Sequence, residues 1–152
     1  MRYVSLAVFL ISGVCQAQTP QPPVTADELQ YLRFVLLNVG SVEHSPDAVQ
    51  TFQDAVVKQF RLSAQEAAAL RAAGQSLNGL LARHRQMTRP IAERKGGPSQ
   101  ADRALLANLG AECEQLIANL ANQLLNTVGP AAAARLRAPG RAMAKSPGRP
   151  VK

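Results

Sequence analysis

The sequence predicts an all-α protein: a long antiparallel hairpin of the third and fourth helices, covered by two shorter N-terminal helices in a four-helix-bundle-like arrangement, with a disordered basic C-terminal tail. Three observations predict it. Four helix-start signatures are spread along the chain, apolar residues follow each at three- and four-residue steps, and Lys95-Gly96-Gly97-Pro98 interrupts the pattern between the two longest runs. A length of 152 residues with 47% apolar content fits one globular domain.

The elements follow in order. Met1, Arg2 and Tyr3 lead into an apolar run from Val4 to Val14, and then Cys15-Gln16-Ala17 precedes a polar, Pro-rich stretch. A positive start, a short apolar core and small residues before a polar segment have the form of a secretory signal peptide over residues 1–17, cut after Ala17. The alternatives are a lipoprotein acylated at Cys15 and an uncleaved anchor. The expected destination is the periplasm or the exterior. Residues 18–24 form a Pro-rich linker, and the helical domain spans residues 25–137.

The first helix is expected from Ala26 to Val39. Thr25 and Glu28 have the capping-box spacing, Leu29, Leu32, Leu36 and Val39 make the apolar stripe, and Phe34, Val35 and Leu37 widen it. Ser45-Pro46-Asp47 opens the second, about Pro46 to Phe60, with Val49, Phe52, Val56 and Phe60 on one face. Ser63 and Glu66 cap the third, from Ala64 toward Glu93, whose stripe is Leu70, Ala73, Leu77, Leu80 or Leu81, His84, Met87 and Ile91. Ser99 and Asp102 cap the fourth, about Gln100 to Thr127, striped by Leu105, Leu109, Cys113, Leu116, Leu120 and Leu124. A fifth short helix is expected to start at Pro130 and end before Pro139. The short Gly-Gly-Pro link makes the two long helices antiparallel, and the two shorter ones are expected to lie along them and cover their apolar seam. The hairpin also offers a surface for homodimerisation.

The formal charge of +7 is uneven: residues 18–134 carry ten basic and ten acidic residues, whereas residues 135–152 carry six basic residues and no acid. Residues 138–152 repeat Pro, Gly, Ala and Lys/Arg without apolar periodicity, so they read as a disordered tail, either solubilising or attracted to an anionic envelope surface. The candidate anion-binding residues are Arg141, Lys145, Arg149 and Lys152 of the tail and Arg83, Arg85, Arg89, Arg94 and Lys95 at the end of the third helix. Basic residues there also complement the helix dipole. No aromatic residues interleave with them, so nucleic acid is not an expected partner.

His84 and Cys113 are the candidate reactive pair, since antiparallel arms bring them opposite each other. A His beside a thiol can lower its pKa or share a metal with it, Glu112 or Glu114 being the outside third ligand. The competing reading is that both belong to the packed seam, Cys113 as a small hydrophobe. His44 has no evident partner. The sequence contains no Gly-rich phosphate loop, nucleophile elbow, paired catalytic carboxylates or HExxH, so no catalytic residue, enzymatic activity or cofactor is predicted.

At Leu62-Ser63-Ala64-Gln65-Glu66 the sequence resembles the LTxxQ signature of the Spy-like periplasmic helical proteins, and Val128-Gly129-Pro130-Ala131-Ala132 stands where a second copy occurs. Glu66 and Ala132 replace the Gln, Ser63 the first Thr and Gly129 the second. The resemblance covers about residues 50–137. It implies a curved helical dimer that holds unfolded clients, without assigning client residues. The expected function is therefore an exported binding protein, chaperone-like or linked to envelope stress, whose partners are unfolded or envelope proteins. The alternatives are a metal- or redox-responsive module at His84 and Cys113, and an envelope component tethered by its basic tail.

Overall fold

The computed structural model describes residues 22–144, and within them the chain is all-helical. The signal-peptide reading, Cys15, residues 18–21 of the linker, and Lys145, Arg149 and Lys152 lie outside the described residues. The five helices are α1 (Ala26–Val39), α2 (Pro46–Phe60), α3 (Ala64–Ala92), α4 (Gln100–Thr127) and α5 (Gly129–Ala144).

Local chemistry accounts for the starts of the first four. The Thr25, Ser63 and Ser99 hydroxyls each accept the backbone N–H three residues on, and Glu28, Glu66 and Asp102 reach back to the cap N–H groups. Ser45 accepts from the Ala48 N–H, with Pro46 in the first turn of α2. At the far end of α1, orphan carbonyls are answered from other helices: Gln53 donates to the Val39 carbonyl at 2.7 Å and Asn78 to the Leu37 carbonyl at 3.4 Å. Arg135 does the same for α2, donating to the Phe60 carbonyl at 2.6 Å.

The core is small and aliphatic. Leu32, Val35, Leu36 and Val39 of α1 meet Leu70 and Leu77 of α3, Ile117, Ala121 and Leu125 of α4, and Ala132, Ala133 and Leu136 of α5. Val56 and Phe60 bring α2 into it, Phe60 edge-on to Tyr31 with centroids 6.4 Å apart. Helix α1 packs against α3, α4 and α5, whereas α2 rests on α1 and α5. The crossing of α1 and α3 is backbone against backbone: a Cβ on Gly74 would come within 2.8 Å of the Gly40 nitrogen and the Leu36 carbonyl oxygen.

Three sequence expectations change. First, residues 138–144 belong to α5, so the reading of a disordered tail does not hold for them and the helix does not stop before Pro139; the rest of that reading, residues 145–152, lies outside the described residues. Pro139 removes one helical hydrogen bond, but contacts beyond it hold the helix. Gly140 lies so close to α1 that a Cβ would stand 2.5 Å from the Glu28 Cα, and Arg137 and Arg141, one turn apart, both reach Glu28. Gly129, at φ +78°, provides the left-handed turn that sends the chain from α4 straight into α5. Second, Phe34, expected under cover, is 56% exposed, although it meets Phe52 edge-on. Third, the apolar stripes of α3 and α4 are buried along only part of their length. Leu70, Ala73 and Leu77 are covered, as are Cys113, Ile117, Ala121 and Leu124, but Met87 and Leu105 are 52% and 46% exposed, and Leu116, between the buried Cys113 and Ile117, is 51% exposed on another face of α4.

Candidate functional site

A groove lies between α3 and α4. Leu80, Arg83, His84 and Met87 line one wall and Leu109, Glu112, Cys113 and Leu116 the other, around a volume of about 330 Å³. Each wall is one helical face, with residues at steps of three, one and three. Four of the eight are large aliphatic side chains, so the groove is mainly apolar with one cation and one anion. Neither Arg83 nor Glu112 has an ion-pair partner among the described residues.

The structure therefore brings His84 and Cys113 into the lining of one groove. Burial pushes the Cys113 thiol pKa up, and the negative charge of Glu114 pushes it further; Arg33 opposes both, but is itself bonded to Glu114 at 2.7 Å. A raised pKa suppresses the thiolate, which is the nucleophilic and metal-binding form. Among the described residues no group of three or more His, Cys, Asp or Glu is arranged to hold a metal ion, so neither Glu112 nor Glu114 completes such a set.

A second depression, about 450 Å³, lies between the end of α1, the loop to α2 and α3. Its lining includes Asn38, Glu43, His44, Asn78, His84 and Arg85. His44 and His84, forty residues apart, thus converge on one space. The Nε2 atom of His84 is buried and without a hydrogen-bond partner. Sequence reasoning gave His44 no partner because the convergence depends on how α1 crosses α3, which no local signal encodes.

The expected basic patch is largely neutralised. Arg85 pairs with Glu43 at 3.3 Å, Arg89 with Glu93 at 2.9 Å and Arg94 with Asp102 at 2.8 Å, leaving Arg83 and Lys95 without ion pairs among the described residues. The cations are clustered in sequence, but Glu43 and Asp102 come from other segments to meet them. The Arg85–Glu43 and Arg89–Glu93 pairs are exposed and contribute little to stability, roughly 0–1 kcal/mol each, whereas Asp102 is buried beneath Arg94. Arg141 is also not a free tail cation: its Nε lies 2.6 Å from an oxygen of Glu28, a residue with 1% side-chain exposure.

Around Glu28 the polar groups converge most closely. Its carboxylate accepts from the Thr25 N–H at 2.9 Å and from Arg141, with the buried Arg137 Nε at 3.5 Å. Arg137 in turn donates to the Pro22 carbonyl at 2.6 Å. Burial alone would raise the Glu28 pKa. The Thr25 and Arg141 hydrogen bonds and the charges of both arginines outweigh it and hold the carboxyl below its usual range. This cluster clasps α5 to α1; it is a structural lock set away from the groove.

Leu62 is buried ahead of the Ser63–Glu66 capping box of α3, whereas Val128 is buried at the end of α4, where the left-handed Gly129 opens α5 without such a box and Ala132 is fully buried. No helix among the described residues is long and apolar enough to cross a membrane. No family model matches the chain, and comparison with curated proteins and with solved structures gives no match either.

Proposed function

We propose that this chain is an exported, non-enzymatic helical protein that binds other proteins, unfolded or envelope-associated, in a chaperone-like manner through the groove between α3 and α4. The observation that carries this reading is a groove lined from α3 and α4 alone, with Leu80, Met87, Leu109 and Leu116 as its apolar residues. Apolar side chains lining an open groove are an energetic liability unless something else uses them. Their spacing suits an extended or helical apolar segment. The signal-peptide-like start and the resemblance at Leu62–Glu66 to Spy-like proteins support the same reading. In this account α3 and α4 form an antiparallel hairpin, gripped at one end by the other helices and presenting its free end to clients. The suppressed Cys113 thiol and the absence of a three-ligand group among the described residues give the redox and metal alternative no support.

The test is light scattering from a chemically denatured client diluted into buffer with the protein at stoichiometric amounts. Aggregation is expected to fall, and Leu116→Asp, at a half-exposed position, is expected to weaken the effect several-fold without loss of helicity. No suppression by the wild type across a range of salt would overturn the proposal. Suppression untouched by Leu116→Asp and Met87→Asp would remove the groove from it.

A further inference from the structure

The groove carries a more specific message in its charge pattern. Its two walls are alike: an aliphatic residue, a charge three positions on, a half-buried or buried residue next to that, and an aliphatic residue three further on. What differs is the sign, Arg83 on the α3 wall and Glu112 on the α4 wall. Both charges face the same short stretch of groove, neither has an ion-pair partner within the described chain, and together they sum to zero.

We propose that a second copy of the chain occupies this groove, related by a two-fold axis running parallel to α3 and α4. That axis lays α3 of each protomer over α4 of the other. Arg83 then meets the partner's Glu112, and the reciprocal pair forms by symmetry, as any isologous contact requires. The other face-to-face arrangement, with the two-fold running across the helices, sets each wall over its own copy and places Arg83 over Arg83 and Glu112 over Glu112. Like charges brought together at an apolar interface are costly, so the pattern selects the first arrangement over the second. Four helices then pack with each next to antiparallel neighbours, and the exposed faces of Met87 and Leu116 become core.

The available surface sets the strength. The uncovered segment of each helix is about 20 Å long and about 10 Å across, so the pair offers on the order of 400 Å² in projection. A standard interface buries about 800 Å² per partner. The dimer is therefore a weak one, in exchange with monomer and displaceable by a client. It uses the groove of the binding reading as a resting state, and does not need a client to exist.

Sedimentation velocity and light scattering on the full chain, from about 1 to about 300 µM, test this across the range expected of a weak interface. The average mass is expected to rise toward twice that of the monomer with concentration. Arg83→Glu alone and Glu112→Arg alone should each weaken association about tenfold or more, and the double variant should return it to within about threefold of the wild type, since each pair is restored with its sign reversed. Far-ultraviolet circular dichroism confirms that each variant keeps its helices. A chain that stays monomeric throughout, or a double variant no better than the singles, would overturn the proposal. A monomer that still suppresses aggregation refutes the dimer and leaves the binding function standing; a charge-reversible dimer without suppression does the reverse.

Discussion

Glu28 shows how one side chain can serve local and long-range structure together. As the third residue of α1 it completes a capping box, which its spacing from Thr25 makes legible in the sequence. Its second role, as counter-charge to Arg137 and Arg141 from the far end of the chain, is not legible, because tail arginines without nearby acids look free. Removing one partner from a buried ion cluster leaves an uncompensated charge, here on Arg137 with 3% side-chain exposure. Glu28→Gln keeps an acceptor for the Thr25 N–H but removes the charge, and is expected to cost about 3 kcal/mol at pH 7. Because the folded-state pKa of Glu28 lies below its ordinary 4.5, the stability it contributes is fully present above that value and is lost as pH falls through the lowered one. Urea unfolding at pH 7 and in acid should therefore show the gap between wild type and variant closing as pH drops below about 4.5. A gap of constant size would mean that the charge of Glu28 contributes nothing.

At the scale of helices, the first four were legible because helix starts are written locally: a Ser or Thr cap, an acid three positions on or a Pro in the first turn, then an apolar stripe. The end of α5 was not, since Pro139-Gly140 has the local form of a stop and is overridden by contact with α1. Glycines make the same point inside α3. Gly74 and Gly79 are equivalent in propensity terms, and Ala at either would favour the helix by about 1 kcal/mol. Yet a Cβ at 74 would press on the α1 backbone at 2.8 Å, while one at 79 would meet nothing within 4 Å. Gly79→Ala is accordingly expected to stabilise by about 0.5–1 kcal/mol, the propensity gain alone. Gly74→Ala should destabilise by roughly 1–3 kcal/mol, because two backbones must separate. Opposite signs in denaturant midpoints check the crossing; stabilisation by both would mean that α1 does not pass where described.

For the molecule as a whole, the decisive mismatch is one of length. At 1.5 Å per residue the 14-residue α1 spans about 21 Å and the 29-residue α3 about 44 Å. Helix α2 does not make up the difference, because it rests on α1 and α5 instead of continuing along α3. The periodic stripes revealed that both long helices have an apolar face, but nothing in them says where the cover ends. That boundary, near Leu77 on α3 and Cys113 on α4, separates a stretch with buried aliphatic residues from one with none. Local stability follows cover: where few apolar contacts hold a helix, its hydrogen bonds open without global unfolding. Amide hydrogen exchange on dilute protein should then give global-unfolding protection at Leu70–Leu77 and Ile117–Leu125. Exchange should be at least tenfold faster through 80–92 and 101–112, despite unbroken helix in both regions. Raising the concentration until the groove is occupied should slow the fast set and leave the slow set unchanged. Uniform protection along α3 would show that the two halves are held by one cooperative core, and the open groove would lose its physical basis.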